Sequence, residues 1–184
     1  DSSAASDVYK RQLQLSFAQV QLSIRGLSTQ FEQLLARIDR QILVLIRELG
    51  WYQHYQRCLS IPGIGPGNAS ALVAAYHRGA FSSSDAFVSY LGLDVRIRDS
   101  GYYKGRRKLT KRGEPELRRL LFCASHGARS YHRFAEYYQR QLDKGLCKIA
   151  ARVVLARKLA RISFALMRNE ETFIKEEKTY CIAS

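Results

Sequence analysis

The chain has 184 residues, with 30 Lys and Arg against 16 Asp and Glu, a formal charge of +14, and 46% of it is apolar. That is enough for one domain with its own core and argues against wholesale disorder. No run approaches the roughly 18 apolar residues of a membrane span, and no basic-then-apolar opening reads as a secretory signal. The cysteines, Cys58, Cys123, Cys147 and Cys181, show no CxxC spacing, which speaks against a zinc module or a disulfide framework. An excess of positive charge in such a chain points to a nucleic-acid partner.

The opening, Ser2 to Gln12, reads SSAASDVYKRQ and resembles the in-frame translation of a sequencing-library adapter. Residues 1–12 are therefore expected to be a non-native scar outside the fold, with the native start missing. From Phe17 to Tyr52 the apolar pattern is helical. Phe31, Leu35, Ile38, Ile42, Leu45 and Leu49 form a heptad seam, with Ile24 extending it and Gln21 and Ser28 weakening it. The spacing predicts a long, coiled-coil-like helix over 13–57. Its seam would either join subunits of a homo-oligomer or lie on a neighbouring domain.

Next, Ile61-Pro62-Gly63-Ile64-Gly65, with Ala69 and Leu72-Val73, fits the helix-hairpin-helix pattern hPGhGxxxAxxh. The glycines permit a tight turn and Ile64 can plug into the core. Gly65 and Pro66 open a helix whose free N–H groups and positive dipole end suit a phosphate. Gly63, Ile64 and Gly65 are thus candidate phosphate contacts, reading no bases. The other reading is a helix-helix turn with no ligand.

Ser82, Ser83, Ser84 and Asp85 predict the cap of a short helix ending at Leu91, with Gly92 as its stop. Residues 94–113 hold no period and are rich in Arg, Lys, Gly and Tyr, the pattern of an exposed loop or ribbon. Arg96, Arg98, Lys104, Arg106, Arg107, Lys108, Lys111 and Arg112 would neutralise phosphates, and Tyr102 and Tyr103 could stack on unpaired bases. The plainer reading is a solvated charged face. Helices follow from Glu114, with Pro115 in the first turn, to Ala128; from Arg133 to Leu142, stopping near Gly145; and from Cys147 to Arg168. Cys123 reads as core packing, and residues 169–184 as a polar, frayed tail. No segment alternates at period two, so the class is all-α, with residues 58–168 forming the helical domain.

The charge is concentrated. Residues 96–119 hold ten cations against Asp99, Glu114 and Glu116, net +7, and residues 144–168 hold seven cations and no acid, another +7. Two phosphate-facing elements are therefore expected.

The motifs SIPGIG, FVSYLGL, RIRDSG, GRRKLTKRG, LRRLLFCAS and ARKLARISFALMRN, in this order across residues 25–168, resemble the C-terminal domain of the IS110 family of insertion-sequence transposases. Full-length members join an N-terminal RuvC-like DEDD domain, a coiled coil and this helix-hairpin-helix domain, and act as serine recombinases guided by a bridge RNA. The resemblance implies DNA as substrate, a guide RNA and a homo-oligomer as partners, and a bacterial or archaeal cytoplasm near the nucleoid. It implies Ser100, in the family's SG motif, as the nucleophile on a DNA phosphate. It also implies Mg²⁺ held by the RuvC-like domain, with no cofactor and no metal ligand in this chain. Asp85, Asp94, Asp99, Glu114 and Glu116 show no metal-binding motif, and the Asp99 side chain would diverge from that of Ser100. By itself Ser100 reads as a turn serine. A tyrosine recombinase lacks its Arg-His-Arg cluster here, His126 and His132 do not share a helical face, and no G-x-S-x-G elbow is present. The rival function is a nucleic-acid-binding module without chemistry.

Overall fold

The structure, a computed structural model, describes the backbone of residues 2–96, 99–100, 103–104, 108–109 and 112–174, and the side chains of residues 14, 16–94, 109 and 112–174. Residues up to Val44 form one unit and those from Leu45 a second.

Helix α1 runs Ser2–Glu48. Its first turns include the residues expected to stand outside the fold; SSAASD holds no Gly or Pro to interrupt a helix. The heptad seam is exposed, Phe31 by 63% and Leu35 by 59%, whereas Ile46, off the seam, is only 5% exposed. The single helix expected over 13–57 is in fact two. Gly50 has φ +72°; its N–H reaches the Arg47 carbonyl at 3.0 Å and the Trp51 N–H reaches Ile46 at 2.9 Å. This pair of bonds across a left-handed glycine is a Schellman stop, which the helical apolar pattern read as far as Tyr52 concealed. Trp51 then caps α2, Tyr52–Leu59, and stacks on His77 at the end of α3, Pro66–His77, with ring centroids 4.3 Å apart.

The later helices follow their predicted signals. Helix α4 is Ser84–Tyr90, and its N-cap Ser83 Oγ accepts the Ala86 N–H at 3.1 Å. Helix α5 is Pro115–Ala128 with proline in its first turn, α6 is His132–Asp143, and α7 is Lys148–Asn169 with Cys147 as N-cap. Gly92 and Gly145 adopt the positive φ that stops α4 and α6.

Helix α7 is the axis of the second unit and packs against α2, α3, α4, α5 and α6. Its buried Ala151, Ala156 and Ala160 let neighbours approach, while Leu155, Leu159 and Met167 fill the gaps between them. Each large side chain buried this way contributes about 1.5–3 kcal/mol. Cys123, read as packing, is instead exposed on α5. The tail is not frayed where described. Phe173 stacks edgewise on Tyr131 and tilts over Phe134, and its N–H donates to Ser60 Oγ at 2.8 Å. One aromatic ring outweighs the polar composition around it.

Between α4 and α5 lies a ribbon of four two-residue strands. Strand β1 (Val95–Arg96) pairs antiparallel with β4 (Lys108–Leu109), and β2 (Asp99–Ser100) with β3 (Tyr103–Lys104). The rest is helical, so the all-α class stands with this small excursion. Among the described residues no helix is long and apolar enough to cross a membrane.

Candidate nucleic-acid interface

Two glycines hold the base of the ribbon. Gly92, at φ +70°, follows α4; an added Cβ there would lie 2.6 Å from Arg118 Nη1 and 2.8 Å from the Gly113 nitrogen. A Cβ at Gly113 would lie 2.6 Å from the Gly92 nitrogen and collide with the Tyr90 carbonyl. The backbones therefore touch where only glycine leaves room. Arg118 Nη1 donates to the Gly113 carbonyl at 2.5 Å, and Arg157 reaches Asp94 at 3.7 Å. Leu91 and Leu93 are buried on either side of Gly92. From this clamp the chain leaves at Val95 and returns opposite it at Leu109. In the second pair of strands Ser100 stands opposite Tyr103, with Gly101 and Tyr102 between them in the sequence.

The turn between α2 and α3 divides its glycines. Gly63, at φ +88°, packs against the end of α5; a Cβ there would lie 2.6 Å from Ala128 Cα. Glycine is required there because α5 leaves no room for a side chain. Ile61 and Ile64 are buried, as a plug into the core requires. Gly65 is the extended N-cap of α3, with no side-chain cap, and Cβ atoms at Gly65 and Gly67 would meet nothing within 4 Å. Pro66 has no N–H, so the Gly67 and Asn68 amides are donors at the helix start without an intrahelical acceptor. Of the three residues singled out on the sequence, Gly65 alone stands at the open end.

The proposed cations fall into two groups. Arg98, Arg106, Arg107 and Lys111 lie outside the described residues, and Arg96, Ser100, Lys104 and Lys108 are described as backbone alone. Arg112 is exposed. Others are engaged internally. Arg119 binds Glu116 through two bonds of 2.5 and 2.8 Å, which hold the Glu116 carboxyl below its ordinary range. On α7, Arg161 binds Asp85 at 2.7 and 2.9 Å, Arg157 faces Asp94, and Arg168 donates to the Ser82 carbonyl at 3.0 Å. Arg152 lies over the Phe122 ring at 4.0 Å. Arg152, Arg157, Arg161 and Arg168 of the second +7 segment are thus turned to α4, α5 and the residues that flank α4. A helix packed on five neighbours has little free face.

The acids are engaged too: Glu114 pairs with Arg78 at 3.5 Å, in addition to the pairs of Asp85, Asp94 and Glu116. Among the described residues no three His, Cys, Asp or Glu side chains converge on a metal-sized site. The described acids do not fit a magnesium site.

The Gly92–Gly113 clamp, Arg118 and the Arg157–Asp94 pair were not singled out on the sequence as parts of this site. Gly92 read as a helix stop, and Gly113 as the end of a basic run, because their meeting is a tertiary fact.

Residues 55–139, from α2 to α6, match the family described as Transposase IS116/IS110/IS902. The chain is 34% identical over 151 residues to a probable family 20 transposase of Pseudomonas aeruginosa, covering 77% of this chain and 43% of that one. It is 32% identical over 148 residues to a pilin gene-inverting protein of Moraxella bovis, covering 77% and 45%. It is 35% identical over 126 residues to the transposase for insertion sequence element IS1328 of Yersinia enterocolitica, covering 65% and 37%. The helical unit with its basic ribbon is a transposase domain. The chain belongs to the IS116/IS110/IS902 transposase family. It spans less than half the length of these relatives.

Proposed function

We propose that this chain is the DNA-binding, strand-joining part of an insertion-sequence recombinase, with Ser100 as the nucleophile. The observation that carries the reading is the clamped ribbon. Gly92 and Gly113 meet where the chain enters and leaves it, and Ser100 pairs with Tyr103 between them in the sequence. Arg96, Arg98, Lys104, Arg106, Arg107 and Lys108 lie along the same short ribbon. A nucleophile brought to a polyanion needs this combination of charge and a fixed backbone. In the step, Ser100 Oγ gives up its proton and bonds to a DNA phosphorus as the bond from phosphorus to a deoxyribose oxygen breaks; that oxygen takes up a proton and leaves as a hydroxyl, with a phosphoserine ester remaining. A serine hydroxyl is a poor nucleophile unaided. The family resemblance implies a RuvC-like domain whose acidic residues would hold Mg²⁺ and would supply that activation.

The α2–α3 turn is read as a helix-hairpin-helix whose open end at Gly65 takes a second phosphate. The exposed heptad seam of α1 supports a coiled coil joining copies of the chain. A guide RNA and a bacterial cytoplasmic setting complete the reading. The test is Ser100→Ala in a protein carrying a relative's N-terminal domain. Strand exchange is lost while duplex binding persists; unchanged strand exchange would refute the nucleophile and leave a binding module. The 184-residue chain alone binds duplex DNA in a salt-dependent way and does not cleave it when Mg²⁺ is added.

A further inference from the structure

Most cations of α7 meet α4, α5 or the residues flanking α4, whereas Lys158 meets α6. Its ammonium sits 3.9 Å over the Tyr137 ring of α6, and the Arg140 guanidinium lies 6.0 Å from the same ring. Arg133, Tyr137 and Arg140 are spaced i, i+4, i+7, so they line one stripe of α6, and Lys144 extends it by another turn. Arg133, Arg140 and Lys144 are exposed. Burial, Arg140 and Arg133 all push the Lys158 ammonium the same way, below its ordinary value. Like charges gathered by a fold at a cost to themselves are repaid when an anion binds.

We infer that Arg133, Arg140 and Lys158, arranged around Tyr137 on the α6–α7 face, form a second contact site for the phosphate backbone of duplex DNA, apart from the ribbon. It rests on the DNA-binding reading above and adds a surface to it. The choice of duplex follows from the aromatic ring. Tyr137 carries an ammonium on its face, so that face is not open for stacking an unpaired base, which single-stranded DNA and RNA loops require. What remains is a set of cations suited to backbone oxygens, which fix position and read no sequence.

The test measures binding of the 184-residue chain to a random duplex of about 30 base pairs across a salt series. The variant Arg133→Gln/Arg140→Gln/Lys158→Gln lowers affinity about tenfold at 0.1 M salt and reduces the log–log salt slope by about 2 to 3, near 0.9 for each phosphate released. Should the triple variant melt early, the exposed Arg140→Glu alone decides, with a fall of several-fold expected. Affinity and slope equal to those of the parent chain would overturn the site. A loss confined to single-stranded RNA would overturn the choice of duplex DNA. A ribbon variant, Arg96→Gln/Arg98→Gln/Arg106→Gln/Arg107→Gln, separates the two readings. If it alone loses affinity, the α6–α7 site fails and the ribbon stands; if the α6–α7 variant alone does, the reverse holds. A parent chain that binds no duplex at any salt defeats both.

Discussion

On α7 the arginines turn back into the protein, Arg161 to Asp85, Arg157 to Asp94 and Arg168 to the Ser82 carbonyl. The ribbon between α4 and α5 instead carries six cations within residues 95–109 and only Asp99 as a counter-charge. Both segments belong to stretches of net +7, so their net charges are equal and their uses differ. An arginine on a helix enclosed by other helices has protein acids and carbonyls within reach of its long stem. Net charge thus says where cations are, and topology says which of them a ligand can use.

The largest expected effect strikes the ribbon's base. Gly113→Ala would force its Cβ against the Gly92 nitrogen and cost about 3 kcal/mol, lowering Tm by about 6–12 °C. Duplex affinity should fall with it. An unchanged Tm would mean that the clamp does not hold the ribbon, and the contrast with α7 would lose its cause.

Gly63→Ala should cost about as much, because φ is +88° and Ala128 fills the space, while Gly65→Ala should stay within about 1 kcal/mol. Equal costs would erase the division between a packed and an open glycine. Arg157→Gln and Arg161→Gln should each cost about 0.2–1 kcal/mol, the range for solvent-exposed pairs, and change duplex affinity less than about twofold. A tenfold loss would put these arginines on the DNA side.

The smallest effect lies at His54 and His77. Their Nδ1 and Nε2 atoms share a hydrogen bond of 2.9 Å, and both imidazoles titrate below their ordinary value. For His54 the causes are burial and then Arg57, partly offset by Glu170; for His77 they are burial and then His54. A lowered histidine value favours the neutral form in the folded state. The stability it contributes is whole above the unfolded value of 6.5 and fades as pH falls through the lowered folded one. Melting at pH 7.5 and 5 should show a small drop at the lower pH. Emission from Trp51, which stacks on His77, should change with it. A His77→Gln variant should flatten both, and a drop that survives this variant would place the titration elsewhere.

Much of the helical body was legible locally. Ser83 as a cap, Pro115 in a first turn, and Gly92 and Gly145 as stops each act through their immediate neighbours, and such signals sit in consecutive residues. Gly50 obeys the same physics but stood inside an apolar pattern read as helical from Phe17 to Tyr52. Phe173 docks on Tyr131 and Phe134 from about forty positions away, and no local signal records a fold-back. At the candidate site, the basic stretch and Ser100 were visible as composition and motif. The stripe of Arg133, Tyr137 and Arg140 was readable as helical spacing. Its meeting with Lys158 was not, nor was the meeting of Gly92 with Gly113, since each joins two separate elements.

The salt dependence of duplex binding, compared between two charge-neutralised variants of this chain, bears most directly on the claim that the ribbon is the DNA-facing element. With Arg96, Arg98, Arg106 and Arg107 changed to Gln, the log–log slope should fall by about 3 to 4; with Arg157 and Arg161 changed to Gln, it should stay that of the parent. Equal slopes in the two variants, or a larger fall for the α7 pair, would contradict the account.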